Sequence, residues 1–327
     1  MAKLDANVFI TRRIPQPGID MVTEAVSRVD VNPHDRVLTR EELLEGVRGR
    51  DAVLCLLTDA IDGEVLDAAK GCKIFANYAV GYNNIDVDAA TARGVAVSNT
   101  PGVLTDATAD LTWTLLMSAA RRIVEGDQFT RAGKFHGWSP MLFLGGDISG
   151  RTLGIIGAGR IGTAVALRSR GFRMRVLYHD KMQNEALEQA VGAERVSLDT
   201  LLSQSDFVSV HVNLDDTTRH LIGTRELGLM KPTAYLINSS RGPVIDEVAL
   251  VEALKGGEIA GAGLDVFEDE PALKPGLAEL PNVVIPPHLG SATIGTRTKM
   301  ATLAAANLVA MLRGERPPNI VNAEVLQ

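Results

Sequence analysis

Cysteine, aromatic residues and positive charge are all in short supply in this 327-residue chain. Only Cys55 and Cys72 are present, each in or beside an apolar segment, so no disulfide framework and no zinc-ligand spacing can be written. Two buried thiols in a reducing compartment are expected. Aromatics make up 4% of the residues, which leaves the interior to Val, Ile, Leu and Ala. The formal net charge is −7, which gives no general attraction to nucleic acid or acidic membranes. One basic run, "RSRGFRMR" with Arg168, Arg170, Arg173 and Arg175, has no interleaved aromatics to stack on bases. It reads as a solvated helix end, where free carbonyls favour cations. No apolar stretch approaches the length of a membrane span. The start, "MAKLDANVFITRR", lacks the apolar run and cleavage site of a signal peptide. The expectation is a cytoplasmic protein with no nucleic-acid partner, no membrane partner and no metal.

What is present is alternation. Short apolar runs, "VFIT", "RVDVN", "AVLCLL", "KIFANYA" and "GVAVSN", alternate with helical stretches such as "PGIDMVTEAV", "TREELLEGVR" and "DGEVLDAAK". Thr39 followed by Glu42 fits a capping box. A long helical pattern, "DATADLTWTLLMSAARRIVEGDQFTRAG", follows. The alternation then restarts with "TLGIIG", "RVLYHD", "DFVSVHV", "AYLIN", "IAGAGLDVF" and "NVVIPP", and a last amphipathic helix closes the chain. Strands alternating with helices predict parallel sheets. The fold class is therefore α/β, with two doubly wound parallel-sheet domains and a cleft between them.

"TLGIIGAGRIGTAVA" carries Gly157, Gly159 and Gly162 as G-x-G-x-x-G. With 31 glycines in the chain the spacing alone is weak, but it follows an apolar strand and opens an apolar-periodic helix. The first Gly permits the tight turn, the second lets a pyrophosphate approach the backbone, and the third allows close helix packing. Asp180 ends the next strand 18 residues past Gly162 (180 − 162), where a ribose-binding acid belongs. A carboxylate there accepts from ribose hydroxyls and repels a 2′-phosphate, which favours NAD over NADP. Lys181 and Arg160 oppose that preference, so NADP stays a second candidate.

The run "AYLINSSRGPVID" places Arg241 where an apolar strand should end, and a cation beside a sheet needs an anion or strong acceptors. Asp265 and Glu270 in "GLDVFEDEP" and His288 in "PPHLGS" follow two further strand ends, as Val212 and Asn213 do in "HVNL". Ligands of such sheets bind outside the carboxyl ends of the strands. Arg241, Asp265, Glu270 and His288 are thereby candidates for one site.

Five separated segments, "NYAVGYNNIDVDAATARGVAVSNTPGVLTDATADL", "GRTLGIIGAGRIGTAVA", "INSSRGPVIDEVALVEAL", "GLDVFEDEP" and "PHLGSAT", carry a resemblance over nearly the whole chain. The chain resembles the D-isomer-specific 2-hydroxyacid dehydrogenases, and among them the glyoxylate and hydroxypyruvate reductases. The resemblance implies a flavodoxin-like substrate domain (residues 1–100 plus 288–327), a Rossmann cofactor domain (101–287) and a homodimer. It implies Arg241, Glu270 and His288 as the catalytic set. Arg241 would hold the substrate carboxylate, His288 would give or take the carbonyl proton, and Glu270 would fix the tautomer of His288 and favour the imidazolium. Val80 and Gly81 would add backbone N–H donors to the substrate. Cofactor contacts are implied at Gly157, Ala158, Gly159, Arg160, Ile161, Gly162, Asp180, Lys181, Val212, Asn213, Ser239, Ser240, Arg241, Asp265, His288 and Gly290. Asp265 would orient the nicotinamide carboxamide.

Two departures bear on that resemblance. NADPH-preferring reductases of the family tend to carry Ser-Arg where this chain has Asp180 and Lys181. Phosphite dehydrogenases have a lysine where this chain has Val80, which argues against phosphite. The other readings are a cofactor-sensing binding protein of the corepressor type and a dehydrogenase for a larger 2-hydroxy acid. Trp138 and Met141, in "GKFHGWSPMLF", fall in a loop that the resemblance puts near the substrate side, and a bland surface or dimer-contact role for Trp138 reads equally.

Overall fold

The computed structural model describes residues 2–326, which divide into two compact units. One unit runs up to Leu104 and resumes at Ser291; the other is Thr105–Gly290. These boundaries lie a few residues later than the sequence suggests, so His288 comes with the second unit.

In the first unit, β1 (Leu4–Ile10), β2 (Val26–Val31), β3 (Ala52–Cys55), β4 (Ile74–Asn77) and β5 (Ala96–Ser98) form a parallel sheet in the order β2-β1-β3-β4-β5. That is the flavodoxin-like order, with its switch point between β1 and β3. β3, β4 and β5 are buried throughout, as strands covered on both faces must be. One face packs Val8, Ile10, Leu54 and Ala76 against Met300, Ala304 and Leu308 of the Ile294–Leu312 helix. That helix lies so close to the Gln16–Ala25 helix that a Cβ on Gly18 would come within 2.7 Å of the Ala301 side chain. The other face packs Phe9, Val53 and Phe75 over Leu43, Val65 and Ala90. The Thr39–Glu42 capping box forms and starts the Arg40–Val47 helix.

In the second unit, β6 (Thr152–Ile156), β7 (Arg175–His179), β8 (Glu194–Arg195), β9 (Phe207–Val210), β10 (Tyr235–Asn238), β11 (Gly261–Leu264) and β12 (Val283–Val284) run parallel in the order β12-β11-β10-β9-β6-β7-β8. The order reverses between β6 and β9, which is where a doubly wound sheet opens a ligand crevice. The long helical pattern after residue 104 is two helices, Thr105–Ala120 and Ile123–Arg131. Arg122 separates them in a left-handed conformation (φ 53°), and its side chain pairs with Glu125. The basic run is neutralised in part: Arg168 pairs with Asp106 and Asp110, and Arg175 with Glu194. Among the described residues no helix is long and apolar enough to cross a membrane.

Candidate active site

The carboxyl end of β6 runs into the glycine loop. Gly157 has φ 92° and lies against the turn after β9, where a Cβ would meet the His211 carbonyl carbon at 2.8 Å and Val212 at 2.9 Å. A Cβ on Gly162 would sit 2.0 Å from the Gly157 carbonyl oxygen, so this glycine lets the Arg160–Arg168 helix close on the strand. Gly159 differs: nothing lies within 4 Å of its missing Cβ, and as N-cap it offers no side chain to the helix amides. The first turn, Arg160 and Ile161 included, therefore presents N–H groups and a positive dipole end to open space, which suits a pyrophosphate. The residues fit a dinucleotide.

Asp180 follows β7 and spends both carboxylate oxygens on backbone, accepting from Ala158 N–H at 2.7 Å and Met182 N–H at 2.9 Å. The acid that would meet the ribose thus also ties the glycine loop to the neighbouring strand, and the Ala158 N–H is committed to it. A cavity of about 520 Å³ adjoins these residues, lined by Ala158, Gly159, Asp180, Met182 and Asn184. Lys181 points its ammonium at the Thr217 hydroxyl, 3.1 Å away. Val212 packs on the core, and the Asn213 carbonyl accepts from the Thr218 hydroxyl at 2.6 Å.

β10 ends at Asn238, whose side chain organises the next three residues. Its Oδ1 accepts from the Ser240 N–H and hydroxyl, and its Nδ2 donates to the Arg241 carbonyl at 3.0 Å. Ser239 shares a 2.7 Å hydrogen bond with the Thr112 hydroxyl. Arg241 leaves this turn extended, with Nη1 donating to the Ser240 carbonyl at 2.7 Å. Burial pulls the guanidinium down from its usual range, and the Glu270 charge opposes that pull.

His288 Nδ1 lies 2.8 Å from Glu270 Oε1, and the two side chains are 26% and 33% exposed, within reach of a ligand. Nε2 is the ring nitrogen left for chemistry. Burial pushes the Glu270 carboxyl up, but the His288 hydrogen bond and the charges of His288 and Arg241 outweigh it and leave the group below its usual range. Asp265 goes the other way: burial raises it against the Leu289 and Gly290 amides. Two neighbouring carboxylates pushed in opposite directions are a mark of acid–base sites. The Asp265 oxygens accept Leu289 N–H at 2.6 Å and Gly290 N–H at 2.8 Å, which pins the loop just past His288. His288 itself sits at φ 53°, an unusual backbone for a residue with a side chain.

In the first unit, Val80 and Gly81 lie in the loop after β4. The Ala79 carbonyl accepts from Thr100 N–H at 2.8 Å, and the Val80 carbonyl accepts from Asn99 Nδ2 at 2.7 Å. In a trans peptide the N–H lies opposite the carbonyl. Tying down these two carbonyls thus aims the N–H groups of Val80 and Gly81 away from Asn99 and Thr100.

Sequence reasoning missed Asn99, Glu247 and His211. The His211 ring is buried, bonded through Nε2 to Ser209 with no partner on Nδ1, and burial lowers it to about 3. No spacing signals such residues, because each works on backbone or on its neighbour in space.

Residues 113–290 match the family described as D-isomer specific 2-hydroxyacid dehydrogenase, NAD binding domain. Over 324 residues the chain is 54% identical to the glyoxylate reductase of Thermococcus gammatolerans, covering 98% of this chain and 97% of the relative. A crystal structure of a glyoxylate reductase from Paecilomyes thermophila superimposes with a TM-score of 0.87 at 35% identity, covering 98% and 99% of the two chains. Another, an NADPH-dependent glyoxylate/hydroxypyruvate reductase from Sinorhizobium meliloti in complex with NADP and malonate, gives 0.85 at 31% identity over 97% and 96%. With these likenesses, the chain belongs to the D-isomer specific 2-hydroxyacid dehydrogenases.

Proposed function

We propose that this protein reduces a small 2-oxo acid, glyoxylate or hydroxypyruvate, to the D-2-hydroxy acid with a nicotinamide dinucleotide. The observation that carries the reading is the 2.8 Å pairing of His288 with Glu270 on the sheet edge that also holds Arg241 and the glycine loop. When bound, the reduced nicotinamide supplies a hydride to the carbonyl carbon. Arg241 binds the carboxylate through its planar fork, which fixes the orientation of the acid. Val80 and Gly81 add N–H donors to the same anion. His288 gives the Nε2 proton to the carbonyl oxygen, and in the oxidative direction takes it back. Glu270 keeps Nδ1 protonated and balances the imidazolium. Asp265 holds the loop that carries His288, and its remaining lone pairs can accept from a carboxamide. Asp180 favours NAD, and Lys181 leaves NADP as a second donor.

The active form we propose is a cytoplasmic homodimer. Two unpaired buried thiols suit a reducing compartment. Trp138 is 84% exposed and Met141 74%, beside exposed Phe135 and Leu144, an apolar surface of the kind a second copy covers. Loss of absorbance at 340 nm by NADH or NADPH with glyoxylate, hydroxypyruvate, pyruvate and longer 2-oxo acids tests the activity. Tight cofactor binding without turnover on any of them would replace this reading with a cofactor sensor.

A further inference from the structure

Glu247 opens the Glu247–Gly256 helix with its side chain buried, at 3% exposure. An acid in the first turn would gain from the helix dipole while staying in water. This one is buried, and its two oxygens take two backbone amides: Oε2 accepts Glu268 N–H and Oε1 accepts Lys274 N–H, each at 2.8 Å. Those amides bracket residues 268–274, and Glu270 lies between them. Glu268 returns the bond by accepting Glu247 N–H at 3.3 Å, and its other oxygen meets His220 Nε2 at 2.8 Å. The His220 N–H donates to the Pro243 carbonyl, two residues past Arg241. Gly242 completes the brace, because a Cβ there would lie 1.8 Å from the Phe267 carbonyl oxygen. The backbone beside Arg241 and the segment carrying Glu270 are thus packed on each other without room for a methyl group.

We infer that Glu247 is a positioning residue for the reaction: its carboxylate clamps both ends of the Glu268–Lys274 segment and so holds Glu270 against His288. The inference rests on the acid–base reading of that pair. Without the clamp the two backbone amides lose their acceptor, and the segment keeps the Glu268 side-chain contacts to Glu247 N–H and His220, the Ala272 N–H to Asp269 carbonyl turn and the Lys274–Asp269 ion pair, none of which holds the Lys274 amide. A displacement of about an ångström at a catalytic group can cost up to roughly 10² in rate. The charged groups facing Glu270 and His288 are Arg241 and Asp265.

A double-mutant cycle on the full-length enzyme tests this. Glu247→Gln presents an amide N–H₂ to one of the two backbone donors and so breaks one end of the clamp. We expect it to lower kcat for 2-oxo acid reduction by roughly 10- to 100-fold, with the KM for the dinucleotide within about twofold of wild type. The alkaline limb of the rate–pH profile should move to lower pH, as in Glu270→Gln. In the Glu270→Gln background the same substitution should add little, because it acts through a carboxylate already gone. Should Glu247→Gln fail to fold, Glu247→Asp, which keeps the charge but is a methylene short of spanning both amides, gives the same cycle. Effects that multiply in the double variant would overturn the inference. So would a lowered Tm with unchanged kcat and pH profile, the signature of a purely structural clamp. Failure of the parent reading shows separately, as wild-type kinetics in Glu270→Gln alone.

Discussion

The two sheets share a parallel, doubly wound architecture, yet their carboxyl edges are built from opposite chemistry. In the first unit neutral side-chain amides tie down most of the edge, beside one buried carboxyl, Asp59, which accepts the Leu56 N–H at 2.8 Å. Asn77 Nδ2 donates to the Gly81 carbonyl and to Asn84 Oδ1, Asn84 donates to the Leu56 and Asp59 carbonyls, and Asn99 donates to Val80. Asn307 of the last helix donates in turn to the Asn99 carbonyl. In the second unit the edge carries Arg241, Asp265, Glu270 and His288, with shifts driven by burial and by one another. Side-chain amides do not titrate, so the Asn99 bond that fixes the Val80 carbonyl needs no particular protonation state. Proton transfer needs groups that titrate, and only the second edge has them assembled around an imidazole. In the proposed reaction the first edge supplies neutral backbone donors, and the second supplies both the guanidinium that orients the acid and the imidazole that exchanges the proton.

On that division, substitutions at the imidazole of the second edge should strike turnover, and those at the first edge should strike affinity. The largest effect is expected from His288→Ala, which removes the proton donor and should cost roughly 10² to 10⁴ in kcat at every pH. Steady-state kinetics with each 2-oxo acid will show it, and a loss confined to KM would move His288 out of the chemistry. Next comes Arg241→Lys. Charge is kept but the planar fork is lost, and kcat/KM should fall roughly 10- to 100-fold, the worth of a charge-assisted hydrogen bond. A near-native value would take Arg241 off the carboxylate. Asn99→Ala sharpens the other side: it frees the Val80 carbonyl, and the KM for the 2-oxo acid should rise about fivefold, one ordinary hydrogen bond, with kcat nearly kept. A drop in kcat without change in KM would erase the distinction between the edges.

The smallest effect at neutral pH belongs to His211. Its folded-state value, lowered by burial to about 3, lies below the ordinary histidine value of about 6.5. The unfolded chain therefore binds a proton that the folded chain refuses, and stability is lost as pH falls from about 6.5 towards 3. Thermal melts of His211→Asn should show a shallower loss over that window and little change in the pH dependence above it. An identical acid limb in the variant would mean the ring is solvated.

Much of this was legible in the sequence, for physical reasons. Gly157, Gly159 and Gly162 stand between an apolar strand and an apolar-periodic helix, and only a tight strand–helix turn satisfies both. Arg241, Glu270 and His288 follow apolar runs of strand length, which puts them on one edge once the strands are parallel. The break at Arg122 was hidden, because the apolar pattern runs on through "AARRIVEG" and only the left-handed backbone at that residue turns the chain. β8 is two residues long and leaves no periodicity to read. Glu247 looks like an ordinary acid at a helix start, and its clamp on Glu268 and Lys274 exists only once the chain has folded. Asp265 was legible as an acid at a strand end, but its grip on Leu289 and Gly290 was not.

The proposed reaction makes the second edge an acid–base device built on the Glu270–His288 pair, 2.8 Å apart. The direct test is the pH profile of glyoxylate reduction by wild type and Glu270→Gln, measured under saturating dinucleotide. Glutamine keeps the size and an acceptor but removes the charge that stabilises the imidazolium. The alkaline limb should move to lower pH while turnover at low pH is partly retained. The limb of the oxidative reaction, which needs neutral His288, should extend to lower pH in the same variant. A uniform loss of rate with both limbs unmoved would contradict the account and leave Glu270 as a tether alone.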